Sequence, residues 1–168
     1  MNAIIRAESP EDRTAIWQVN RLAFGREDEP RLVDELRDEG YARVSLVAEL
    51  AGQIVAHVLF SHLPIMSASG IVNALSLAPM AEVPSEQRKG IGSTLVTEGL
   101  RACREAGHRI VVVLGHPDFY PRFGFSAKLA ARLKSPYAGP SFMALELVPG
   151  ALDGIDGEVR YPPPFERL

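Results

Sequence analysis

The 168-residue sequence contains a single cysteine, Cys103, and aromatic residues make up only 7% of it. One cysteine excludes an intramolecular disulfide and a zinc cluster held by several thiolates. No apolar run reaches the roughly 20 residues that a membrane-spanning helix needs. The first residues also lack the apolar segment of a secretory signal. We therefore expect a soluble, cytoplasmic protein with no metal site and no membrane partner.

An excess of charge of one sign is absent as well, since 18 Lys and Arg face 21 Asp and Glu, a net charge of −3. Nucleic-acid-binding domains usually carry a basic surface, so we expect no nucleic-acid partner. Apolar residues make up 46% of the chain, enough for a sizeable core. The length suits one domain. We predict a single domain over 1–168, with a core over 3–148 and a cover segment over 149–168 that adds one strand.

The most informative stretch is a turn with two glycines, VPSEQRKGIGST, at residues 83–94. A strand-like run precedes it, and a helical pattern follows from Gly90 until Gly107 ends it. Unpaired N–H groups and the helix dipole at such a helix start favour an anion, above all a phosphate. Glycine lets the backbone approach that phosphate without a Cβ in the way. The segment therefore predicts a phosphate-bearing ligand.

Three kinds of phosphate loop compete for this turn. A Walker loop needs a lysine directly before Ser93-Thr94, and Gly92 stands there. A dinucleotide fingerprint needs a third glycine three residues after Gly92 and an early βαβ unit, and position 95 is Leu. The third pattern is Gln/Arg-x-x-Gly-x-Gly/Ala. Gln87, Gly90 and Gly92 match it in full.

This third pattern resembles the pyrophosphate loop of the GNAT-type N-acetyltransferases. In that family the next strand is followed by a short helix carrying a Tyr, with a Gly-Phe pair four residues later. Here a β-branched run at 109–114 precedes Tyr120 and then Gly124-Phe125. The Gly-x-Pro before the Tyr and the Arg-Phe-Gly-Phe after it are similar to one bacterial subgroup of acetyltransferases. The resemblance covers roughly residues 3–148.

The resemblance implies a GNAT fold, of the α/β (α+β) class. That fold is a mixed, mostly antiparallel sheet of six to seven strands, flanked by about four helices and splayed between strands 4 and 5. The sequence pattern predicts helices beginning at Ser9 and Asp28 and strands at 3–7, 42–50, 53–65, 71–83, 109–114 and 142–148. Pro79 has no N–H to donate to a neighbouring strand, so it predicts a bulge in the fourth strand. In the family, a bulge there opens a cleft for the pantetheine arm of the cofactor.

Acetyl-CoA is the co-substrate that the resemblance implies. The residues expected to bind it are Met80, Ala81, Glu82, Val83, Gln87, Arg88, Lys89, Gly90, Ile91, Gly92, Ser93, His116, Phe119 and Tyr120. The backbone of 80–83 is expected to pair with the pantetheine amides like an added strand, and the backbone of 87–93 to surround the pyrophosphate. The two cations, Arg88 and Lys89, either support the phosphates or face water.

Acetyl transfer needs a held thioester, a neutral amine, a stabilised oxyanion and a proton for the thiolate. The resemblance implies direct attack in a ternary complex, and Cys103 lies on the core stripe of a helix rather than at a site. Tyr120 is the candidate general acid, with packing against the cofactor as the alternative. The N–H of Val83 is the candidate oxyanion donor. His116, Glu82 or a water relay is the candidate base.

We therefore expect an acetyl-CoA-dependent N-acetyltransferase acting on a primary amine of a small molecule or a protein. A catalytically weak acyl-CoA-binding sensor or regulatory module is the alternative, and a longer acyl group stays open. The first two helices, the hairpin of strands 3 and 4, and the loop before the last strand are expected to line the acceptor pocket, with residues 26–29 at its rim. His57 and His62 of the third strand are expected to be structural, with a place in the acceptor pocket as the alternative. A homodimer, common in the family, stays open.

Overall fold

A computed structural model describes residues 2–168 of the chain. Within that range, the fold has three α-helices and eight strands: β1 Ile4–Ala7, α1 Arg13–Phe24, α2 Asp28–Asp38, β2 Ala42–Leu50, β3 Gln53–Ser67, β4 Gly70–Glu82, α3 Ile91–Glu105, β5 Ile110–Leu114, β6 Leu133–Lys134, β7 Phe142–Glu146 and β8 Gly157–Val159. Four 3-10 helices lie at Pro10–Asp12, Pro84–Glu86, Tyr120–Phe123 and Pro163–Arg167.

The strands form one sheet in the order β1-β2-β3-β4-β5-β7, and β8 pairs with both β3 and β6. Only the β4–β5 and β6–β8 pairings are parallel among these strands. Ala51 and Gly52 join β2 to β3 with φ of +53° and +79°. These angles suit the two-residue turn that matches the twist of a hairpin. The predicted mixed, mostly antiparallel sheet is confirmed.

The predicted capping box at Ser9 forms, but it opens the 3-10 turn Pro10–Asp12 that leads into α1. The N–H of Ser9 donates to the Asp12 carboxylate at 2.7 Å, and the N–H of Asp12 donates to the Ser9 carbonyl at 2.9 Å. Arg6 of β1 also pairs with Asp12, at 2.6 Å. The Ser-x-x-Asp box therefore ties the start of the helix to the edge of the sheet.

The splay between β4 and β5 is visible in their register. They pair only through Leu75–Leu77 and Val111–Val113, while β4 continues to Glu82. The β3–β4 register shifts between Val58 and Phe60, so one residue of β3, Leu59, opposes two of β4, Ala78 and Pro79. The predicted bulge is thus confirmed. Beyond it the two strands separate and leave a cleft.

Both faces of the sheet are covered. On one face α3 packs on a cluster that includes Phe60, Leu75, Leu95 and Cys103. Cys103 is fully buried, as the helical pattern predicts, and burial raises the pKa of its thiol to about 12. We call this the α3 face. On the opposite face, the α1/α2 face, two clusters lie under the first two helices and the C-terminal segment.

Two details differ from the sequence prediction, the number of helices and an additional short strand. The short helix expected at Tyr120 is a single 3-10 turn, so α-helices number three in the described chain rather than about four. The cover segment does add a strand, β8, which pairs Val159 with Ile65. Its two-residue partner β6 has no periodic signal and was not predicted. No helix within residues 2–168 is both long and apolar enough to cross a membrane.

Candidate active site

The splay opens into a cleft of about 1020 Å³ that reaches both faces of the sheet. Its walls come from three parts of the chain. From β4 and the glycine turn come Ser76, Leu77, Ala78, Pro79, Met80, Glu82, Gln87, Arg88, Gly90, Gly92 and Ser93. From β5 and the loop after it come Leu114, Gly115, His116, Asp118, Phe119, Tyr120 and Arg122. From the α1/α2 face come Ala23, Phe24, Glu29, Leu32, Tyr137, Tyr161, Phe165 and Leu168.

Ten of the fourteen residues predicted to bind the cofactor therefore lie along this cleft. The other four, Ala81, Val83, Lys89 and Ile91, do not line it. Ala81 is buried in the sheet, and Val83 and Ile91 pack against the α3-face cluster. Lys89 pairs with Glu86 at 3.3 Å. Of the two predicted cations, only Arg88 thus contributes to the cleft wall.

The glycine turn is held by its own backbone geometry. Arg88 and Gly90 both have positive φ, +65° and +86°, and Gly90 caps the start of α3. A positive φ is strained for a side chain such as that of Arg88. The Gln87 side chain donates to the Glu82 carbonyl at 3.2 Å and ties the turn to the end of β4. The first N–H groups of α3 have no intrahelical acceptor and face this turn.

Glu82 lies beneath that helix start. Its carboxylate accepts the Gly92 N–H, and a Cβ at Gly92 would stand 2.5 Å from Oε1. A side chain at position 92 would therefore have to displace the Glu82 carboxylate. The Oε2 atom is buried and has no hydrogen-bond partner in the described chain. Burial raises the pKa of Glu82, with the Gly92 hydrogen bond opposing that shift. The side chain packs on the α3 face, away from α1 and α2.

The expectation that the Val83 N–H stabilises an oxyanion is wrong. That N–H donates to the Val55 carbonyl at 2.9 Å and is already used by the sheet. In an antiparallel strand pair, hydrogen-bonded and non-hydrogen-bonded residue pairs alternate. In a non-hydrogen-bonded pair, each residue turns its N–H away from the partner strand. Met80 and Glu82 stand opposite Val58 and Ala56 at such positions. Their N–H groups therefore point into the cleft.

Tyr120 is fixed against the end of β5. Its ring is 7% exposed and meets Phe119 and Phe125 edge to face, at centroid distances of 5.0 and 5.7 Å. A Cβ at Gly115 would overlap this ring, so the glycine makes room for it. The His116 carbonyl accepts the N–H groups of Phe119 and Tyr120 at 3.1 and 3.2 Å. Burial raises the pKa of Tyr120 to about 12 and keeps the phenol protonated.

His57 lies outside the cleft, as expected for a structural residue. It is fully buried between Ser45 and Asn20, with its ring nitrogens 2.9 Å from the Ser45 hydroxyl and 3.3 Å from the Asn20 amide. Burial lowers the pKa of His57 to about 3, so the ring is neutral. Within residues 2–168, no group of three or more His, Cys, Asp or Glu side chains is placed to hold a metal ion.

The wall on the α1/α2 face was only partly predicted. Helices α1 and α2 and the loop before β7 contribute, as expected, but the described β3–β4 turn at 67–70 does not. Of residues 26–29, only Glu29 lines the cleft. The C-terminal segment instead supplies Tyr161 and Phe165. The sequence signal that could have predicted this wall is the pair of aromatic residues, Tyr161 and Phe165, on either side of three prolines.

Comparisons with known proteins agree with this geometry. Residues 4–127 match the family model described as an acetyltransferase (GNAT) domain. The uncharacterized N-acetyltransferase YhbS of Escherichia coli (strain K12) is 34% identical over 98% of this chain and 99% of its own length. The uncharacterized N-acetyltransferase YjhQ of the same organism is 36% identical over 68% of this chain and 64% of its own length.

Two solved structures are similar over nearly the whole chain. The crystal structure of Escherichia coli YhbS in complex with CoA has a TM-score of 0.91 and 33% identity, over 100% of this chain and 94% of that one. A GNAT family acetyltransferase from Brucella melitensis in complex with acetyl-CoA has a TM-score of 0.79 and 34% identity, over 97% of each chain. Since the family model, the sequence relatives and the fold all agree, this chain belongs to the GNAT family and is an acyltransferase.

Proposed function

We propose that the protein transfers an acetyl group from acetyl-CoA to a primary amine, by direct attack within a ternary complex. The observation that carries this proposal is the gap between β4 and β5, into which Met80 and Glu82 turn their N–H groups. An extended chain with amide groups, such as pantetheine, pairs with an unpaired strand of this kind. The relatives solved with CoA or acetyl-CoA support the same co-substrate.

The remaining residues of the cleft fit the rest of that molecule. The N–H groups at the start of α3, together with the Arg88 guanidinium, form an anion site suited to the pyrophosphate. The glycines at 90 and 92 leave the backbone open to it. The thioester then lies in the gap, between the α3 face and the α1/α2 face. An acceptor amine reaches it from the α1/α2 face, because α3 closes the other side.

The reaction then proceeds in two steps at the thioester carbon. The amine nitrogen attacks the carbonyl, and the Met80 N–H stabilises the resulting oxyanion in place of Val83. The nitrogen releases a proton to water or to His116, and the carbon–sulfur bond breaks. Tyr120 donates its phenolic proton to the leaving sulfur. Glu82 is set aside as the base, since its carboxylate packs beneath α3 rather than toward the amine.

Calorimetry with acetyl-CoA tests the co-substrate site. We expect Arg88→Ala to weaken binding about tenfold, since a charged hydrogen bond contributes ~1.5–3 kcal/mol. Lys89→Ala is the matched control and should bind like the wild type, because Lys89 pairs with Glu86 outside the cleft. If the folded wild type does not bind acetyl-CoA, the proposed function is wrong.

Turnover is tested by the release of the CoA thiol in the presence of a panel of amines. Tyr120→Phe should lower kcat at least tenfold and leave the affinity for acetyl-CoA unchanged, because the ring remains and only the proton donor is lost. Binding of acetyl-CoA without thiol release for any amine would instead support an acyl-CoA-binding module.

A further inference from the structure

We propose that the acceptor is a monoamine whose nitrogen is carried on an aromatic or apolar body, and that Tyr161 and Phe165 of the C-terminal segment hold that body. The inference rests on the proposed function and names its substrate class. Its starting point is an aromatic wall made of Phe24, Tyr137, Tyr161 and Phe165, all of which line the cleft.

The aromatic wall lies on the side from which the amine must come. Phe165 packs against the cluster beneath α1 and α2, and Tyr161 packs against the neighbouring cluster of the same face. The glycine turn and Glu82 are on the opposite face. A body held by the aromatic wall is thus separated from the nucleotide by the sheet, and only its amino end reaches the gap.

Three rings of the wall, those of Tyr137, Tyr161 and Phe165, form one continuous surface. Tyr137 and Tyr161 meet edge to face at a centroid distance of 5.4 Å, and Tyr161 and Phe165 lie 5.1 Å apart. At the mouth, Tyr137 and Phe24 are 42% and 40% exposed. An apolar ligand that covers exposed apolar area in a concave site is bound favourably. Aromatic rings also gain from edge-to-face contact with a further ring.

Charge on this side of the cleft argues against acceptors with several cations. Glu29 is the one acidic side chain on this part of the described wall, and it is 8% exposed. Arg26 bonds both of its oxygens, Nε to Oε1 at 2.8 Å and Nη2 to Oε2 at 2.5 Å. Burial raises the pKa of Tyr161 to about 12, so its phenol is neutral as well. No acidic side chain of this part of the described wall is therefore left to pair with a second ammonium group, and burying an unpaired charge is costly.

The C-terminal segment is anchored firmly enough to act as a wall. Strand β8 pairs with β3, and the Arg160 N–H donates to the Pro64 carbonyl at 2.9 Å. The β8 pairing and the Arg160 hydrogen bond fix the backbone before Tyr161, and Phe165 is held by its packing on the cluster beneath α1 and α2. The two rings are therefore placed before any ligand arrives, which reduces the ordering that binding requires.

Thiol-release kinetics with two amine sets test the inference. One set contains 2-phenylethylamine, tyramine and tryptamine, and the other contains spermidine and kanamycin. We expect kcat/KM to be at least tenfold higher for the first set. Tyr161→Ala and Phe165→Ala should each raise KM for the preferred arylalkylamine at least tenfold, with kcat and the acetyl-CoA affinity little changed. Tyr41→Ala is the control, since Tyr41 packs on the same cluster as Phe165 but does not line the cleft.

The outcomes separate the two proposals. If no arylalkylamine is acetylated, or if spermidine or kanamycin is the better substrate, the inference is overturned while acetyl-CoA binding still supports the proposed function. If Tyr41→Ala raises KM as much as Phe165→Ala does, the aromatic wall acts only through stability and the inference is again overturned. Loss of acetyl-CoA binding in the folded wild type overturns the proposed function itself.

Discussion

At the scale of single residues, Glu82 has the least expected surroundings. A carboxylate with one unpartnered buried oxygen lies under the N–H groups that we assign to the pyrophosphate. Its pKa is raised by burial, so a larger share of it is neutral at a given pH than for an exposed glutamate. The neutral form does not repel an anion, whereas the ionised form does.

The acetyl-CoA affinity of the wild type should therefore fall as the pH rises through the elevated pKa of Glu82. Glu82→Gln keeps an oxygen for the Gly92 N–H and removes the charge, so it should bind acetyl-CoA more tightly at high pH and depend less on pH. Calorimetry of both proteins from pH 5 to pH 8 measures this difference, and ionisation of the ligand cancels between them. If the affinities of the two proteins changed with pH in the same way, the charge of Glu82 would not affect binding of the anion.

At the scale of elements, α3 is positioned by a glycine in its middle. Gly99 packs against Phe60 of β3 so closely that a Cβ would stand 2.6 Å from Cε2 and 2.9 Å from Cζ. Phe60 is fully buried, so a shift of its ring would disturb the packing of the core. The close approach brings the start of α3 down onto the end of β4, where the anion site forms.

Gly99→Ala should lower the free energy of unfolding by about 1–2 kcal/mol. Alanine favours a helix by ~0.5–1 kcal/mol over glycine, but overpacking costs ~1–3 kcal/mol. Urea unfolding measures the change, and Thr97→Ala, on the exposed side of the same helix, is the matched control. In a Phe60→Leu background the alanine should be better tolerated. Equal destabilisation in both backgrounds would exclude contact with Phe60 as the cause.

The elements also show how far the sequence alone could go. Apolar periodicity is local, so it placed β2, β5, α2 and α3 within one or two residues of their observed ends. Pro79 predicted the bulge, but its register shift could not be read from local pattern. That shift decides which N–H groups face the cleft, and it is why the Val83 N–H donates to β3 whereas we propose Met80 as the oxyanion donor. The glycine turn was predictable because its residues carry the motif themselves. The side-chain contacts of Glu82 were not, since they depend on packing between separate elements.

At the scale of the whole molecule, the C-terminal segment closes the α1/α2 face. Deleting residues 163–168 removes Phe165 from its cluster, a loss of about 2 kcal/mol for a largely buried ring. The melting temperature should then fall by roughly 4–8 °C. The affinity for acetyl-CoA should be retained, because the deleted residues lie across the sheet from the glycine turn. Calorimetry and thermal unfolding measure the two quantities.

Arg167→Ala is the control for that deletion, since it removes only the surface ion pairs with Glu35 and Glu39 and should change the melting temperature little. A deletion that abolished acetyl-CoA binding in a folded protein would show that the two faces of the cleft are not independent.

The short pairing of β4 with β5 has a consequence for motion. Three residue pairs join the β1–β4 part of the sheet to the β5–β7 part, so little backbone hydrogen bonding resists a local opening along that line. A pantetheine arm bonded to the backbone at Glu82 would add hydrogen bonds along β4 beyond Leu77. The co-substrate would then act as a temporary strand between β4 and β5. While it stays bound, backbone amides from the thioester site into β5 would exchange with deuterium more slowly.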